Sequence, residues 1–342
     1  MKLRSIRIIN LRNHEQFEGI FSPTVTLIHG SNGSGKTSIL EAIYIAYRGT
    51  SFRSADQEVL SIGKEWYRIE TTDTEEIERV VTFDNRYEKS RKQFLIDHKT
   101  HLRLPMKNRY PIVLFLPDDT RLINGSPSRR RQYLDTVISQ YQPHYSNILH
   151  RYERALLQRN RLLKQSGVAH DQLFAWDVIL SNLGAEIISA RVNYIERVNQ
   201  SIQQYYRRVA KTEDEISMHY LSPHGHTAQS LLDNLQHSRA HDFLTGSTSV
   251  GPHRHDVSIS LRSQAADSIA SRGEVRTIIL ALKYIEADII VEASGKHPLI
   301  LLDDVFGELD KTRQTQLLTS FSESQVIITS TEKHTTHRRI NL

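Results

Sequence analysis

The chain has 342 residues, enough for about two domains of ordinary size, and its 38% hydrophobic and 24% charged residues are the balance of a folded globular protein. It contains no cysteine, which excludes disulfide scaffolds, cysteine-ligated zinc or iron–sulfur sites and a cysteine nucleophile. The formal net charge is +5, but the stretch from Arg121 to Gln165 carries nine Lys or Arg against two acids, which suggests a localised face for a polyanion.

No run of consecutive apolar residues is longer than six, the stretch from Ala42 to Tyr47, so no segment is expected to span a membrane. The N-terminal residues alternate charged with apolar side chains and lack the apolar core of a signal peptide. These two features predict a cytoplasmic protein without a membrane partner.

The first third of the sequence has the pattern of short strands around one helix. Two β-rich runs, residues 3–9 and Val25–His29, precede a glycine-rich turn, and a helix is expected over about 36–47. Residues 66–104 alternate polar and apolar side chains with β-branched content, which is typical of a small antiparallel sheet. A buried strand over 112–116 is expected to follow it.

The middle of the sequence is predicted to be helical. Two runs, residues 141–162 and 173–194, carry apolar side chains at heptad-like spacing, and Gln165–Gly167 separate them. This pattern predicts a helical hairpin with a coiled-coil-like seam about three heptads long. Residues 222–252 are rich in Pro, Gly, His and Ser and are expected to form loops with one short helix.

The last part of the sequence returns to alternating helices and apolar strands, and its final strands are expected at Pro298–Leu302 and Gln325–Thr329. The α/β pattern at both chain ends predicts one α/β head built from residues 1–120 and 246–342. The segment 121–245 is then a short helical, coiled-coil-like lobe inserted into that head.

A phosphate-binding loop is predicted where the glycine-rich turn meets the first helix. The segment Gly30–Thr37 matches G-x-x-x-x-G-K-[ST] and has a strand before it and a helix after it, as the motif requires. Glycines let backbone N–H groups point at phosphate oxygens, and the helix N-terminus favours an anion. We therefore expect ATP to be held by eight consecutive residues: Gly30, Ser31, Asn32, Gly33, Ser34, Gly35, Lys36 and Thr37.

A Mg²⁺ site needs a carboxylate as well as the loop hydroxyl. The apolar run that begins at Leu299 ends in two acids, Asp303 and Asp304. The pattern predicts that Thr37 and Asp303 hold the metal, and that Asp304 orients the attacking water. With Lys36, Asp304 is the predicted catalytic residue.

A second anion-binding helix start is predicted at Ser271–Arg276. Ser271 is a good N-cap, and Gly273 and Arg276 follow in the first turn of a helix expected to run to about 293. By itself this is the pattern of any capped helix. Its place about 27 residues before the acidic strand is the order of ABC-type ATPases, whose signature helix caps the γ-phosphate bound by the other subunit.

The sequence as a whole resembles the RecF family of bacterial recombination mediators, which belong to the SMC-like ABC ATPase superfamily. The resemblance covers essentially the whole chain and is weakest over about 168–245. The segments that carry it are Ile9–Asn13, Thr50–Ser54, Phe115–Asp119, Gly125–Arg131, Leu134–Asp135, Gly251–Arg254, Leu302–Val305 and Glu308–Asp310.

The resemblance implies a weak, DNA-stimulated ATPase used as a switch. ATP and Mg²⁺ would drive a homodimer that clamps single-stranded and gapped duplex DNA at strand boundaries, and slow hydrolysis would release it. The implied role is recombinational repair of gaps, replication-fork maintenance and SOS induction, with RecR and RecO as partners in loading RecA.

Two departures from the family pattern stand out, and a third segment departs from the transporter pattern. The signature usually reads Ser-x-Gly-Gln-Gln-Arg, whereas this chain has Glu274 and Val275, and a carboxylate near a γ-phosphate is expected to weaken the dimer. The usual acid after Gly-Pro-His-Arg is His255 here. At the place of the transporter switch histidine the chain has Thr329–Thr331, as the family does, so hydrolysis is expected to be slow.

The basic middle of the chain supplies the candidate DNA face, with phosphate contacts rather than base contacts. A solvated helix surface would explain the same charges. The alternative function is an ABC-type ATPase subunit that drives a protein partner without DNA. The predicted DNA-contacting residues are Arg129, Arg130, Arg131, Arg151 and Arg154.

Overall fold

The computed structural model describes residues 1–87, 91–165, 170–304, 306, 309, 311–332 and 338–342. The chain forms two compact units. The first unit contains both chain ends, Met1–Asp119 and Ile290–Leu342, and the second contains the middle of the chain, Thr120–Ile289.

The strands and helices follow one another much as the sequence patterns predict, and the strand at Val25–His29 is confirmed to the residue. The strands are β1 Leu3–Leu11, β2 His14–Ile20, β3 Val25–His29, β4 Trp66–Asp73, β5 Glu78–Asp84, β6 Arg91–Ile96, β7 Lys99–His101, β8 Ile112–Phe115, β9 Ile216–Leu221, β10 Asp256–Leu261, β11 Gln264–Ala265, β12 Leu299–Asp303, β13 Val326–Ser330 and β14 Arg338–Asn341. The helices are α1 Lys36–Arg48, α2 Asp56–Val59, α3 Arg121–Asn124, α4 Pro127–Tyr141, α5 Tyr145–Leu163, α6 His170–Ala210, α7 Ala228–His237, α8 Arg239–Thr245, α9 Ala266–Ile269, α10 Arg272–Ser294 and α11 Lys311–Ser320.

The first unit contains a six-stranded antiparallel sheet in the order β2-β1-β4-β5-β6-β7. In β4 and β5 every second residue is buried, because one face of the sheet packs on the core. The antiparallel sheet predicted for residues 66–104 is therefore confirmed. Strand β2, which the sequence analysis did not predict, forms a hairpin with β1 and adds an edge to this sheet.

A five-stranded parallel sheet in the order β14-β3-β13-β12-β8 forms the second layer of the first unit. Its central strands β12 and β13 are buried at every residue, as parallel strands covered on both faces usually are. Their register places Asp303 beside Thr329 and Thr329 beside Ile28. Since parallel strands end at one edge of a sheet, the segments after β3, β12 and β13 meet there.

Helix α1 contacts strands of both sheets of the first unit. Eleven of its thirteen residues are buried, including the charged Glu41, so this helix is a core element rather than an amphipathic surface helix. Gly35 precedes the helix and Gly49 follows it, both with positive φ angles. The helix predicted over about 36–47 is confirmed.

The second unit is built around α6, a helix of 41 residues that packs against α5, α7 and β9. Its buried side chains Leu173, Leu180, Ile187 and Tyr194 recur every seven residues, which confirms a helical pair with α5. The helix continues to Ala210, far beyond the predicted run, because apolar side chains keep the same spacing. Most of the predicted separating turn lies outside the described residues.

Helix α6 is also long and apolar enough, by length and composition, to cross a membrane. Half of its most apolar stretch is buried inside the protein, where it contacts the other helices of the second unit. Its buried side chains form part of the core of the second unit.

The segment between α6 and α10 is more ordered than the sequence patterns predict. Residues 222–252 contain two helices, α7 and α8, rather than the one short helix expected. Strand β9, also not predicted, pairs with β10 in the three-stranded sheet β11-β10-β9. Pairing with a strand that lies 35 or more residues further along the chain leaves no local signal for β9.

The compact units divide the chain at different positions from the predicted head and lobe. Residues 246–289, predicted as part of the head, fall in the second unit, because β10 pairs with β9 and α10 buries Val275, Ile278 and Leu282 in that unit's core. The first stretch of the first unit ends at residue 119, and the predicted start of the helical lobe at residue 121 stays a prediction. The boundary of the ATPase head at residue 246 stays a prediction.

Candidate functional site: a phosphate loop facing an acidic strand

The phosphate loop joins β3 to α1 in the first unit, as predicted. Gly33 and Gly35 have φ angles of 80° and 94°, which side-chain-bearing residues rarely adopt. A Cβ atom at Gly35 would also collide with the ring of His14, whose Nε2 lies 3.0 Å from the Gly35 carbonyl oxygen. Glycine is therefore required at this position both by the backbone and by its neighbour.

Lys36 is held inside the loop. Its ammonium donates hydrogen bonds to the carbonyl oxygens of Gly30, at 2.9 Å, and Ser31, at 2.8 Å. The side chain is only 6% exposed, so the charge lies within the loop rather than in solvent. The hydroxyl of Ser34 is buried and has no hydrogen-bond partner among the described residues, which leaves a donor in the loop for an added acceptor.

The acidic strand reaches the loop through one side chain. Thr37 Oγ1 donates to the carboxylate of Asp303, with oxygen–oxygen distances of 2.8 and 2.9 Å. These are the two residues predicted to hold the metal, so the structure brings them together. Burial raises the pKa of Asp303, and the hydrogen bonds from Thr37 and Thr329 act in the opposite direction.

Thr329, at the end of the neighbouring strand β13, fixes the position of both acids. Its Oγ1 lies 2.9 Å from Asp303 Oδ1 and accepts a hydrogen bond of 2.9 Å from the backbone N–H of Asp304. Asp304 has a φ angle of 52°, and its side chain is exposed at the cleft. Asp304, the residue predicted to orient the attacking water, therefore lies in a turn directly after β12, and the Thr329 hydroxyl holds the backbone of that turn.

Two arginines that the sequence analysis did not assign to the site line the same cleft. Arg12 and Arg53 both donate to the carboxylate of Glu41, which projects from α1 and is fully buried. Burial pushes the pKa of Glu41 upward, but hydrogen bonds from Arg12, Arg53 and Ser51 outweigh it and lower the pKa to about 2. We call Glu41, Arg12 and Arg53 the arginine clamp.

Arg12 and Arg53 of the clamp, the phosphate loop and the two acids line an open cleft of ≈ 500 Å³. Ser38 and Ser54 also line this cleft, and Asn13 donates a hydrogen bond of 2.9 Å to the Gly33 carbonyl oxygen. Only the family resemblance could have assigned these residues to the cleft. Arg12 and Asn13 are the last residues of one segment that carries the resemblance, and Arg53 and Ser54 are the last residues of another. Nothing in local spacing indicates that Glu41 joins them.

The predicted signature residues lie in the second unit, at the start of α10. Ser271 and Glu274 form a reciprocal cap: Glu274 accepts from the Ser271 N–H at 2.7 Å, and the Ser271 hydroxyl accepts from the Glu274 N–H at 3.3 Å. Glu274 also pairs with Arg262 at 2.6 Å, which with the cap lowers its pKa to about 2. Ser271 and Gly273 are exposed, and Arg276 is half-buried.

The five predicted DNA-contacting arginines differ in their surroundings. Arg130 forms a two-pronged ion pair of 2.8 Å with Asp256, and Arg131 donates to the His255 carbonyl oxygen at 2.9 Å. Arg129 is half-buried. Arg151 and Arg154 on α5 are exposed, and neither has an ion-pair partner among the described residues.

Among the described residues, no group of three or more His, Asp or Glu side chains is arranged to hold a metal ion. A cation at this site would therefore rest on one hydroxyl, one carboxylate and oxygens of the ligand itself, which is how Mg²⁺ is usually bound beside phosphates. The predicted motif at Glu308–Asp310 is described only at Leu309, so its acids lie outside the described residues.

Comparison with known proteins places the chain in a family. The RecF/RecN/SMC N terminal domain family matches residues 2–341. The DNA replication and repair protein RecF of Heliobacterium modesticaldum is 32% identical over 347 residues, covering 98% of this chain and 93% of that protein. That of Clostridium perfringens is 30% identical over 338 residues, covering 97% and 93%.

The similarity extends to solved structures. A structure of the recombination mediator protein RecF-ATP in the RecFOR pathway is 31% identical and superposes with a TM-score of 0.89, covering 98% of this chain and 93% of that one. An Smc head bound to the C-winged helix domain of ScpA, only 16% identical, shares the fold with a TM-score of 0.54 over 97% and 90% of the two chains. These matches confirm the predicted α/β class, an ABC-type P-loop ATPase head built from both chain ends with a helical lobe inserted, and the chain belongs to the RecF family.

Proposed function

We propose that this protein is an ATP-dependent DNA-binding recombination mediator, acting in the cytoplasm in the repair of single-strand gaps, in replication-fork maintenance and in SOS induction. The observation that carries the proposal is the hydrogen bond between Thr37 and Asp303, which joins the phosphate loop to the acidic strand. Family membership supports the same role, as does the similarity to a structure of RecF with ATP in the RecFOR pathway.

The residues of the cleft fit a nucleoside triphosphate with Mg²⁺. The loop offers the unpartnered hydroxyl of Ser34, and the Lys36 ammonium needs only to exchange two carbonyl oxygens for phosphate oxygens. Thr37 and Asp303 would hold the cation, whose charge would polarise the phosphates. Asp304 would orient the attacking water, and Thr329 holds the backbone of Asp304 in place.

Hydrolysis is proposed to be slow. Neither Thr329 nor the residues beside it in β13 supplies a titratable group at the position where transporters have a histidine. The protein would then use ATP as a switch: binding would drive a homodimer through the signature residues Ser271, Gly273 and Arg276, and hydrolysis would release it. The Ser271 hydroxyl and the exposed start of α10 are compatible with an anion there.

DNA is proposed to lie along α5. Arg151, Arg154, Arg161 and Lys164 are all exposed and recur at intervals of three and seven residues, so they share one face of the helix. A row of cations without ion-pair partners among the described residues suits successive phosphates. Arg130 and Arg131 could contact DNA only if they first broke their present hydrogen bonds, to Asp256 and to the His255 carbonyl oxygen.

RecO and RecR are proposed as protein partners, because two similar solved structures are of RecF described as a member of the RecFOR pathway. Together the three would act where single-stranded meets double-stranded DNA.

The first test is fluorescence anisotropy of a labelled gapped duplex, titrated with protein at near-physiological salt with ATP, with ADP and without nucleotide. We expect tight binding with ATP alone, and loss of that binding in the Lys36→Met variant. Binding that is indifferent to nucleotide would instead favour an ATPase that drives a protein partner without DNA.

A further inference from the structure

The first unit contains a second cleft, of ≈ 460 Å³, which shares no residue with the phosphate cleft. It is lined by the segments that lead into β8 and β12, at Lys107–Tyr110 and Gly295–Pro298, and by Gln325 just before β13. Because these strands are parallel, this is the edge where they begin, opposite the edge that carries the phosphate loop. The cleft is also lined by the N-terminal residues and the turn between β4 and β5.

The charges in this cleft are unbalanced. Its two acids are already engaged: Glu75 lies 3.1 Å from the α-ammonium of Met1, and Glu323 lies 3.5 Å from His297. Asp73 is fully buried and does not line the cleft; its Oδ1 accepts hydrogen bonds from the backbone of Glu75 and Ile77, and its Oδ2 has no hydrogen-bond partner among the described residues. Five cationic side chains line the cleft without forming an ion pair with any described residue: Lys2, Arg79, Lys107, Arg109 and Lys296.

Both arginines of this group are at least half-buried, as Lys2 is, whereas Lys107 and Lys296 are exposed. Arg79 is 6% exposed, donates to the Asn108 carbonyl oxygen at 2.7 Å and lies 5.0 Å from the centre of the Tyr47 ring. The Nε atoms of Arg79 and Arg109 are buried and have no hydrogen-bond partner among the described residues. Burial and the nearby Arg48 lower the pKa of Arg109. Desolvated guanidinium groups without a carboxylate are costly unless a ligand supplies the missing negative charge.

We infer that this cleft binds a small anion carrying more than one phosphate group. A planar guanidinium suits the oxygens of phosphate, and several cations in one cleft exceed what a single phosphate would neutralise. The cleft has the volume of a small-molecule site. A duplex backbone is too broad to reach Arg79, which is almost fully buried. Lys107 and Lys296 are exposed and would meet the ligand at the mouth of the cleft.

The test is a calorimetric titration of inorganic pyrophosphate, in magnesium-free buffer, into the full-length protein carrying Lys36→Met, which disables the phosphate loop. We expect saturable binding that weakens at least tenfold when Arg109→Gln is added. Arg103→Gln, which changes an exposed arginine outside the cleft, is the matched control and should leave the affinity unchanged. No binding to the Lys36→Met protein, or equal affinity with and without Arg109, would overturn the inference.

Two further arms make the outcome clear. Lys107 is exposed, so Lys107→Gln cannot act through the core, and we expect it to weaken pyrophosphate binding severalfold even if Arg109→Gln destabilises the protein. Unchanged affinity in a folded Lys107→Gln protein would count against the site. Titration of ADP under the same conditions identifies the kind of ligand. Binding tighter than that of pyrophosphate would indicate that the cleft takes a nucleotide, and weaker binding would indicate that it takes a free polyphosphate anion.

Discussion

Lys36 is already in the position from which it can serve a phosphate, because two loop carbonyl oxygens hold its ammonium in the loop. Lys36→Met keeps the apolar stem and removes the charge and all three donors. We expect ATP affinity to fall about 100-fold or more, since each charge-assisted hydrogen bond contributes about 1.5–3 kcal/mol. Equilibrium binding of a fluorescent ATP analogue measures it. Lys99→Met, on the exposed strand β7, is the control, and ATP retention by Lys36→Met would refute the assignment.

At the same scale, Glu41 is predicted to stabilise the fold through its charge. Glu41→Gln leaves Arg12 and Arg53 without their carboxylate, and since water reaches both arginines the loss is expected to cost about 1.5–3 kcal/mol. The control is Glu78→Gln, an exposed acid on β5 without an ion pair to a described residue. Urea unfolding at pH 7 measures the difference in the free energy of unfolding, and equal values for the two variants would contradict the clamp.

The pH dependence of that difference has a definite sign. The pKa of Glu41 is about 2 in the folded protein against an ordinary value of 4.5, so its contribution is complete above pH 4.5 and is lost as the pH falls toward 2. The unfolding free energies of the wild type and of Glu41→Gln should therefore converge between pH 4.5 and 2. A difference that is independent of pH over this range would show that shape, and not charge, sets the role of Glu41.

At the scale of elements, the start of α10 is proposed to serve a nucleotide bound by a second copy of the chain. Ser271→Arg places a large cation there while leaving every residue of the phosphate cleft unchanged. We expect ATP binding to persist and the ATP-dependent dimer to be lost. Light scattering of the variant with ATP measures this, and Ser268→Arg on the short helix α9 is the control. A dimer of the Ser271→Arg protein would exclude the signature role.

Glu274 shows why the departure from the family signature is compatible with folding. Its carboxylate caps the Ser271 N–H and pairs with Arg262, so within the second unit it is already neutralised. The Glu274 carboxylate should therefore repel a γ-phosphate less strongly as long as Arg262 stays paired with it.

The elements also show what the sequence can and cannot predict. The phosphate loop, α1 and the acidic strand were predictable because each depends on a local motif or on a continuous apolar run. The pairing of Thr37 with Asp303 was predicted from chemistry, since a Mg²⁺ site beside a phosphate loop needs a carboxylate as well as the loop hydroxyl. The arginine clamp was not predictable, since its members lie 12 to 41 residues apart in the sequence and each has the pattern of a surface charge. Strands β2 and β9 were missed because tertiary pairing, not propensity, makes them.

At the scale of the whole molecule, the net charge of +5 is spread unevenly, and the positive charge is concentrated between residues 121 and 165. Of the nine cations between Arg121 and Gln165, Arg159 is fully buried between Asp177 and Asp242, and Arg130 is paired with Asp256, so neither charge is free for a ligand. The exposed cations of the segment are Arg121 on α3, Arg151, Arg154 and Arg161 on α5, and Lys164 directly after α5, and a polyanion can reach these.

The last prediction concerns that face. Replacing Arg151 and Arg154 together by Gln should lower the slope of log affinity against log salt for duplex DNA by about 2, since each neutralised phosphate contributes about 0.9. Anisotropy titrations with ATP from low to high salt measure the slope. Lys99→Gln with Arg103→Gln removes the same net charge from exposed positions of the first unit and should leave the slope unchanged. Equal slopes for the two double variants would mean that the overall charge attracts the DNA and that α5 does not contact it. The slope counts the counterions that direct phosphate contacts release, so it should change only when a contacting residue is replaced.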